Sequence, residues 1–263
     1  MQYTTGEMMA VAAARVLKND DVCFVGIGAP SVACNLARLI HAPDITLIYE
    51  SGTIGTKPDV LPLSIGDPEL SETALTTVSV PEMFRYWLQG GRISVGFLGG
   101  AQLDRFGNIN SSVIGSYEQP KVRLPGGGGA PEIASLCGQT YVVMKQTRRT
   151  FVERVDFITS FGYGSGGDHR QRLGIHTLGL TLVVTDLCLL RPEPETKELV
   201  VVSIHQNITR EDIARNTGWP IHFADSVAQT PPPTETELSV LRDLHARTAR
   251  AHAGKDMPHA GAD

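Results

Sequence analysis

Apolar positions recur at helical spacing over residues 8–17, run unbroken over 22–25, return to helical spacing over 31–40, and run unbroken again over 45–49. A period near 3.6 predicts helices, and short apolar runs rich in β-branched residues predict buried strands, so the chain opens α-β-α-β. Thr4 and Glu7 have the spacing of a capping box ahead of the first helix, Asn19-Asp20 closes it, and Pro43 breaks the second. That order predicts an α/β fold with an open, mostly parallel sheet covered by helices. The turn Gly26-Ile27-Gly28-Ala29-Pro30 matches a dinucleotide-binding fingerprint only in part, because Ser31 stands where the third glycine belongs. It reads as a tight strand-to-helix turn.

Beyond residue 53 the periodicity lapses until a short aromatic helix at 82–89, ended by Gly90-Gly91, and a buried strand at 93–98. Strands are expected at 141–144 and 151–158 on either side of the basic cluster 145–149, and again at 180–190 and 199–204. A helix over 209–216 has Thr209 as its expected N-cap, with Glu211 and Asp212 in the first turn. The run Thr230-Pro231-Pro232-Pro233 marks a boundary before a polar helix over 235–251. These readings place a single α/β domain over 1–229, a C-terminal helix over 230–251 and a disordered tail over 252–263.

Composition narrows the partners. With 263 residues, 41% of them hydrophobic and 19% charged, the chain can bury a proper core. A formal net charge of −5 gives none of the basic footprint that nucleic acid attracts, and membrane surfaces are equally poor partners, although phosphates could still find local positive charge. The first residues lack the charged and apolar blocks of a signal peptide, and no stretch reaches the roughly 20 apolar residues of a membrane span. Cys23, Cys34, Cys137 and Cys188 form no CxxC pair and have no histidine at zinc-like spacing, so they read as buried, reduced thiols of a cytoplasmic protein with no metal site.

Candidate chemistry gathers at three places. Glu50 lies at the carboxyl end of the 45–49 strand on a Ser51-Gly52 turn, where open α/β sheets place ligand sites, although a glutamate merely leaving the sheet for solvent has the same pattern. The segment Gly99-Gly100-Ala101-Gln102-Leu103-Asp104-Arg105-Phe106-Gly107-Asn108-Ile109-Asn110 follows a strand with small residues and amide side chains, suited to close backbone approach by a ligand. Four consecutive glycines at 126–129 precede a helix beginning near Ile133; they read either as a flexible linker or as a loop offering free N–H groups to an oxyanion. The Gly-rich loop at 161–174 carries His169, which reads as a loop residue rather than a base.

Taken in order, YESGTIG, FLGGAQLDRFGNIN and LPGGGGAPEIA resemble the β subunit of a family I CoA-transferase, nearest to the glutaconate type, and the likeness extends over about residues 3–227. The resemblance implies that Glu50, the glutamate of the ESG turn, is the nucleophile of a ping-pong exchange through a glutamyl-CoA thioester. It implies that Gly99, Gly100, Ala101, Gln102, Asp104, Gly107, Asn108 and Asn110 help form the CoA and acyl pocket. It also implies that Gly126, Gly128, Gly129 and Ala130 present backbone N–H groups to the thioester oxygen. It further implies coenzyme A as a substrate with no permanently bound cofactor, a dicarboxylic or oxo acid as the second substrate, and an α subunit as partner in a heterotetramer or higher assembly. Two alternatives stay open on the same fold. One is a ring-opening hydrolase or a decarboxylase of CoA thioesters, whose known members have lost the ESG glutamate. The other is a CoA-metabolite-binding subunit without chemistry of its own.

Overall fold

Thr4 caps the first helix, α1 (Thr5–Ala14), by the expected reciprocal box: its hydroxyl accepts from the Glu7 N–H at 3.1 Å while the Glu7 carboxylate accepts from the Thr4 N–H at 2.8 Å. Met8, Val11 and Ala12 to Ala14 are all buried, which explains why the segment shows no clean polar face. The computed structural model describes residues 2–253, in two compact units: 2–94 together with 233–253, and 95–232. The tail expected over 252–263 lies, from residue 254 on, outside the described residues.

In the first unit β1 (Val22–Phe24), α2 (Ala29–Ile40) and β2 (Thr46–Ile48) form a β-α-β unit with parallel strands. Two very short strands, β3 (Thr53–Ile54) and β4 (Thr76–Thr77), then extend the sheet in antiparallel fashion, with α3 (Pro68–Glu72) between them. The aromatic helix expected over 82–89 is a single α-turn, α4 (Val80–Glu82), that widens into a π-helical turn over Met83–Leu88. The C-terminal helix Glu235–Ala251 buries Leu238, Leu241 and Leu244, spaced three residues apart, and packs on α1 and α2.

That helix is also fastened by charge. Arg15 grips the Glu237 carboxylate with two donors, Nε at 2.7 Å and Nη2 at 2.6 Å. Burial pushes the Glu237 carboxyl up, but the Arg15 donors and then the Thr234 N–H outweigh it and bring the pKa down to about 2. A carboxyl held below its unfolded value stabilises the fold above the ordinary carboxylate range, near pH 4.3, and that stabilisation is lost as the pH falls towards 2. In Glu237→Gln the decline in stability between about pH 4.5 and 2 is expected to be shallower than in the native chain. Urea midpoints measured at a series of pH values check this; parallel curves for the two proteins would contradict it.

The second unit starts with β5 (Val95–Leu98) and two small hairpins, β6 (Gln102–Leu103) with β7 (Ile109–Asn110) and β8 (Val113–Gly115) with β9 (Pro120–Arg123). There follow α5 (Ala130–Leu136), β10 (Gln139–Val143), α6 (His169–Arg172), β11 (Leu180–Val184), β12 (Cys188–Pro192), β13 (Leu199–Ile204), α7 (Arg210–Arg215) and β14 (His222–Gln229). Strand β10 pairs parallel with β5 and β11, and β14 pairs parallel with β13; β11, β12 and β13 are joined by antiparallel turns. The α/β class and the mostly parallel, helix-covered sheet are as predicted. Two readings are corrected. The strand expected at 180–190 is broken into β11 and β12 by the Thr185–Cys188 turn, where the Thr185 hydroxyl accepts from the Leu187 and Cys188 N–H groups. Residues 151–158 form no strand: Phe151 makes one isolated bridge with Leu103, and the rest is irregular.

All four cysteines are buried and none forms a disulfide among the described residues, and burial pushes the thiols of Cys137 and Cys188 up to about 12, so neither of these two is a nucleophile near neutrality. No helix among the described residues is long and apolar enough to cross a membrane.

Candidate active site

Glu50 sits at the tip of a hairpin. The Gly52 N–H donates to the Tyr49 carbonyl at 2.9 Å and the Tyr49 N–H donates to the Thr53 carbonyl at 3.1 Å, so Glu50 and Ser51 are the two central residues of the turn joining β2 to β3. Gly52 is required by geometry: its φ is +102°, and a Cβ there would lie 1.9 Å from the Val78 carbonyl oxygen, whose own N–H donates to the Gly52 carbonyl at 2.9 Å. The Glu50 side chain is half-buried and, among the described residues, makes no hydrogen bond or ion pair. Its carboxylate is therefore unspent. The hydroxyls of Ser51 and Thr53, on either side of Gly52, are buried without a partner among the described residues.

Behind the turn, Tyr49 is completely buried and its hydroxyl lies 2.9 Å from the Ser31 hydroxyl on α2. Asn35, one turn along α2, donates to the Ser31 carbonyl at 2.9 Å; Arg38 donates to the Asn35 side-chain oxygen and, at 2.7 Å, to the Pro58 carbonyl. This polar ladder on one face of α2 holds the residue before Glu50 and the loop after it. It also explains why a serine, not a glycine, follows Pro30. Burial pushes the Tyr49 phenol well above its ordinary value, the Ser31 hydrogen bond opposing this only in part, so Tyr49 is a neutral anchor and not an acid. Tyr49→Phe is expected to cost about 1 kcal/mol of stability, the worth of one buried hydrogen bond, readable as a lowered urea midpoint at an unchanged m-value.

In the second unit the residues singled out between Gly99 and Asn110 form two knots. The Gln102 side chain accepts from Asn110 Nδ2 at 2.7 Å and from the Asp156 N–H at 3.0 Å, and it donates to the Asp156 carboxylate at 3.1 Å. Asp104 accepts from the Phe106 and Asn108 N–H groups at 3.0 Å and from Asn108 Nδ2 at 2.9 Å; Asn108 in turn accepts from the N–H groups of Gly162 and Gly164. The side chains of Gln102, Asp104, Asn108 and Asn110 are all buried. Burial pushes the Asp104 carboxyl up despite those hydrogen bonds. At Gly100 a Cβ would meet Ile109 and the Asn110 carbonyl at 2.4 and 2.8 Å, and at Gly107 it would meet Leu180 at 2.5 Å, so both glycines permit close packing of the segment.

The loop ahead of α5 is ordered, not a free linker. Gly126 donates to the Ser111 carbonyl and accepts from the Ser111 hydroxyl, each at 2.8 Å, and Ala130 donates to the Gly127 carbonyl at 2.9 Å. The N–H groups of Gly128 and Gly129 meet no acceptor among the described residues. With the Gly127 N–H, which likewise meets no acceptor among the described residues, the loop leaves three backbone donors unspent, as an oxyanion site needs. Two residues that sequence reasoning passed over complete the frame. Asp156, within the irregular 151–158 segment, holds the Gln102 knot and accepts from the Gly115 N–H at 2.9 Å. Arg170 is buried without an acidic partner among the described residues; its guanidinium donates instead to the carbonyls of Ala134, Gly162 and Thr177 and to the Thr177 hydroxyl. The one signal for Arg170 was an arginine inside a Gly-rich loop; nothing local marked Asp156.

Glu50 lies in the first unit and the two knots and the glycine loop in the second. The family model for coenzyme A transferase matches residues 6–216 of this chain. The chain belongs to the coenzyme A transferase family. The β subunit of 3-oxoadipate CoA-transferase from Pseudomonas knackmussii is 62% identical over 250 residues, covering 95% of this chain and 96% of that one. The β subunit of glutaconate CoA-transferase from Acidaminococcus fermentans is 35% identical, covering 90% and 91%. The crystal structure of glutaconate coenzyme A-transferase from the same organism superposes with a TM-score of 0.86 at 32% identity, over 92% of this chain and 94% of that one. As a CoA-transferase chain the protein is an enzyme component with coenzyme A as a substrate.

Proposed function

We propose that this chain is the β subunit of a transferase that moves CoA between an acyl-CoA and 3-oxoadipate or a closely similar oxo-dicarboxylic acid, through a covalent intermediate on Glu50. The observation that carries the covalent role is the unspent Glu50 carboxylate at the tip of a glycine-dependent hairpin. The 62% identity to a 3-oxoadipate CoA-transferase chain over nearly the full length of both supports the substrate class.

The chemistry runs in balanced steps. The Glu50 carboxylate attacks the thioester carbonyl, and the tetrahedral intermediate collapses to a mixed anhydride as CoA leaves as its thiolate. The thiolate then attacks the Glu50 carbonyl of the anhydride, giving a glutamyl-CoA thioester and releasing the first acid. The acceptor acid repeats the sequence in reverse, and Glu50 is restored. Splitting one exchange in this way lowers each barrier. Each tetrahedral oxyanion needs donors, and the Gly128 and Gly129 N–H groups, on the loop that includes Gly126 and Ala130, are those proposed; one such donor is worth about 3–4 kcal/mol. The Gln102–Asn110 and Asp104–Asn108 knots shape the CoA and acyl pocket from beneath, with Gly100 and Gly107 letting the segment pack closely and Gly99 and Ala101 proposed at the pocket itself.

An anhydride must be kept from water, which makes a second, covering chain physically reasonable. The proposed assembly is an α2β2 heterotetramer or a multiple of it, in the cytoplasm, with no permanently bound cofactor. Both relatives are the β chains of CoA-transferases, which supports the α partner. Co-expression with an α-type chain, followed by a panel of acyl-CoA donors and free acids, tests this. Exchange that prefers a six-carbon 3-oxo diacid supports it; release of free CoA at the same rate without any acceptor acid identifies a hydrolase instead.

A further inference from the structure

The exchange passes through two different tetrahedral centres. The first oxyanion forms on the acyl carbon of the thioester, and the Gly128 and Gly129 N–H groups are the donors proposed for it. The second forms on the side-chain carbon of Glu50, when the CoA thiolate adds there and the carbonyl electron pair moves onto oxygen. The two carbons flank the bridging oxygen of the anhydride, so a donor placed for one oxyanion is not placed for the other. The second oxyanion calls for a donor fixed on the hairpin that carries Glu50.

The hairpin holds such a group. Ser51 follows Glu50 directly through a trans peptide, so their Cα atoms lie about 3.8 Å apart. A serine in a turn ordinarily spends its hydroxyl on nearby backbone. The Ser51 hydroxyl is shielded from solvent yet meets no partner among the described residues. A buried hydroxyl without a bond carries an uncompensated desolvation penalty, and this one sits beside a carboxylate that is itself unbonded. A donor already bonded to the resting carboxylate would stabilise the ground state; a donor left free at rest contributes only when charge develops. The other orphaned hydroxyl of the turn, on Thr53, is placed differently. The Tyr49 N–H donates to the Thr53 carbonyl, and cross-strand partners project to the same face, so Thr53 shares the side of Tyr49, whose hydroxyl meets Ser31 on α2.

We propose that the Ser51 hydroxyl is a catalytic donor to the oxyanion formed on the Glu50 side-chain carbon. It donates as the C–S bond to CoA forms and keeps its proton throughout. The contact is released when the C–O bond to the departing acid breaks and the glutamyl-CoA thioester is left. It donates again when the acceptor carboxylate attacks that thioester. The proposal rests on Glu50 being the nucleophile, and the test keeps the two apart.

The test uses the assembled enzyme with its α chain and three variants: Ser51→Ala, Ser51→Thr and Thr53→Val. Loss of one oxyanion donor is expected to lower kcat of Ser51→Ala about 100-fold, with KM for acyl-CoA and for the acceptor acid unchanged. The Tm should not fall, because the hydroxyl makes no bond among the described residues. Ser51→Thr keeps a hydroxyl and should recover most of the rate, and Thr53→Val should turn over as the native enzyme does. Borohydride reduction after incubation with acyl-CoA separates the two assignments. Ser51→Ala should still be reduced at Glu50, with the thioester forming about 100-fold more slowly. No reduction at Glu50 in the native complex would overturn the nucleophile and this proposal with it. Native kcat in Ser51→Ala with capture at Glu50 intact would overturn this proposal alone, as would an equal loss in Thr53→Val or a fall in Tm that matches the loss of kcat.

Discussion

Glu50→Gln is expected to abolish CoA exchange. An amide cannot attack a thioester to form the anhydride, and removing a covalent nucleophile typically lowers kcat on the order of 10⁴- to 10⁶-fold. The substitution is nearly isosteric. It falls on a half-buried side chain that makes no hydrogen bond or ion pair among the described residues, so stability should stay within about 0.5 kcal/mol of the native chain. That separation makes the result readable: steady-state exchange and thermal unfolding measured on the same preparation should show lost turnover at an unchanged Tm. Full exchange activity in the variant would remove Glu50 from the chemistry.

Gly52→Ala should do the opposite and damage the fold as well as the activity. At φ +102° an alanine is strained whatever the space, and here the added Cβ would lie 1.9 Å from the Val78 carbonyl oxygen. Because the neighbour is backbone, relief requires the 49–53 turn or the 76–78 segment to move. Strain in such a region costs of order 1–3 kcal/mol, and the steric overlap adds to it, so a loss of about 3 kcal/mol or more is expected, with exchange reduced at least about 100-fold through a misplaced Glu50. Urea unfolding and exchange rates check both parts. A variant with native stability would show that the turn is freer than the Gly52–Val78 contact implies.

Much of this was legible in the chain. The 3.6 and unbroken apolar patterns located α1, β1, α2 and β2, and the capping signals at Thr4 and Thr209 were local enough to read. Glu50 was legible for the same reason: a strand end and a glycine turn are adjacent in sequence. The short strands β3 and β4 were not, because two residues carry no period and their pairing is set by a contact between residues 53 and 77. The stretch 151–158 misled because Phe151, Val152 and Val155 have strand composition, while the partners that keep it irregular, Gln102 and Gly115, lie some forty or more residues away.

The candidate pocket shows the same boundary. Amide side chains beside glycines look like ligand contacts, and from sequence alone Gln102, Asn108 and Asn110 could not be told from residues that hold a loop in shape. Their partners at Asp156, Gly162 and Gly164 become visible only once the chain is folded. His169 reads from sequence as a loop residue for the same reason, since the Ser165 contact that fixes its protonated nitrogen depends on the turn geometry of residues 165–169.

Covalent capture tests the Glu50 assignment most directly. The assembled enzyme is incubated with acyl-CoA and no acceptor acid, reduced with borohydride, digested and examined by mass spectrometry. A glutamyl-CoA thioester predicts that the peptide containing Glu50 carries a side-chain alcohol in place of the carboxylate, only when acyl-CoA was present. An unmodified Glu50 peptide from enzyme that is turning over, or reduction at another carboxylate, would contradict it.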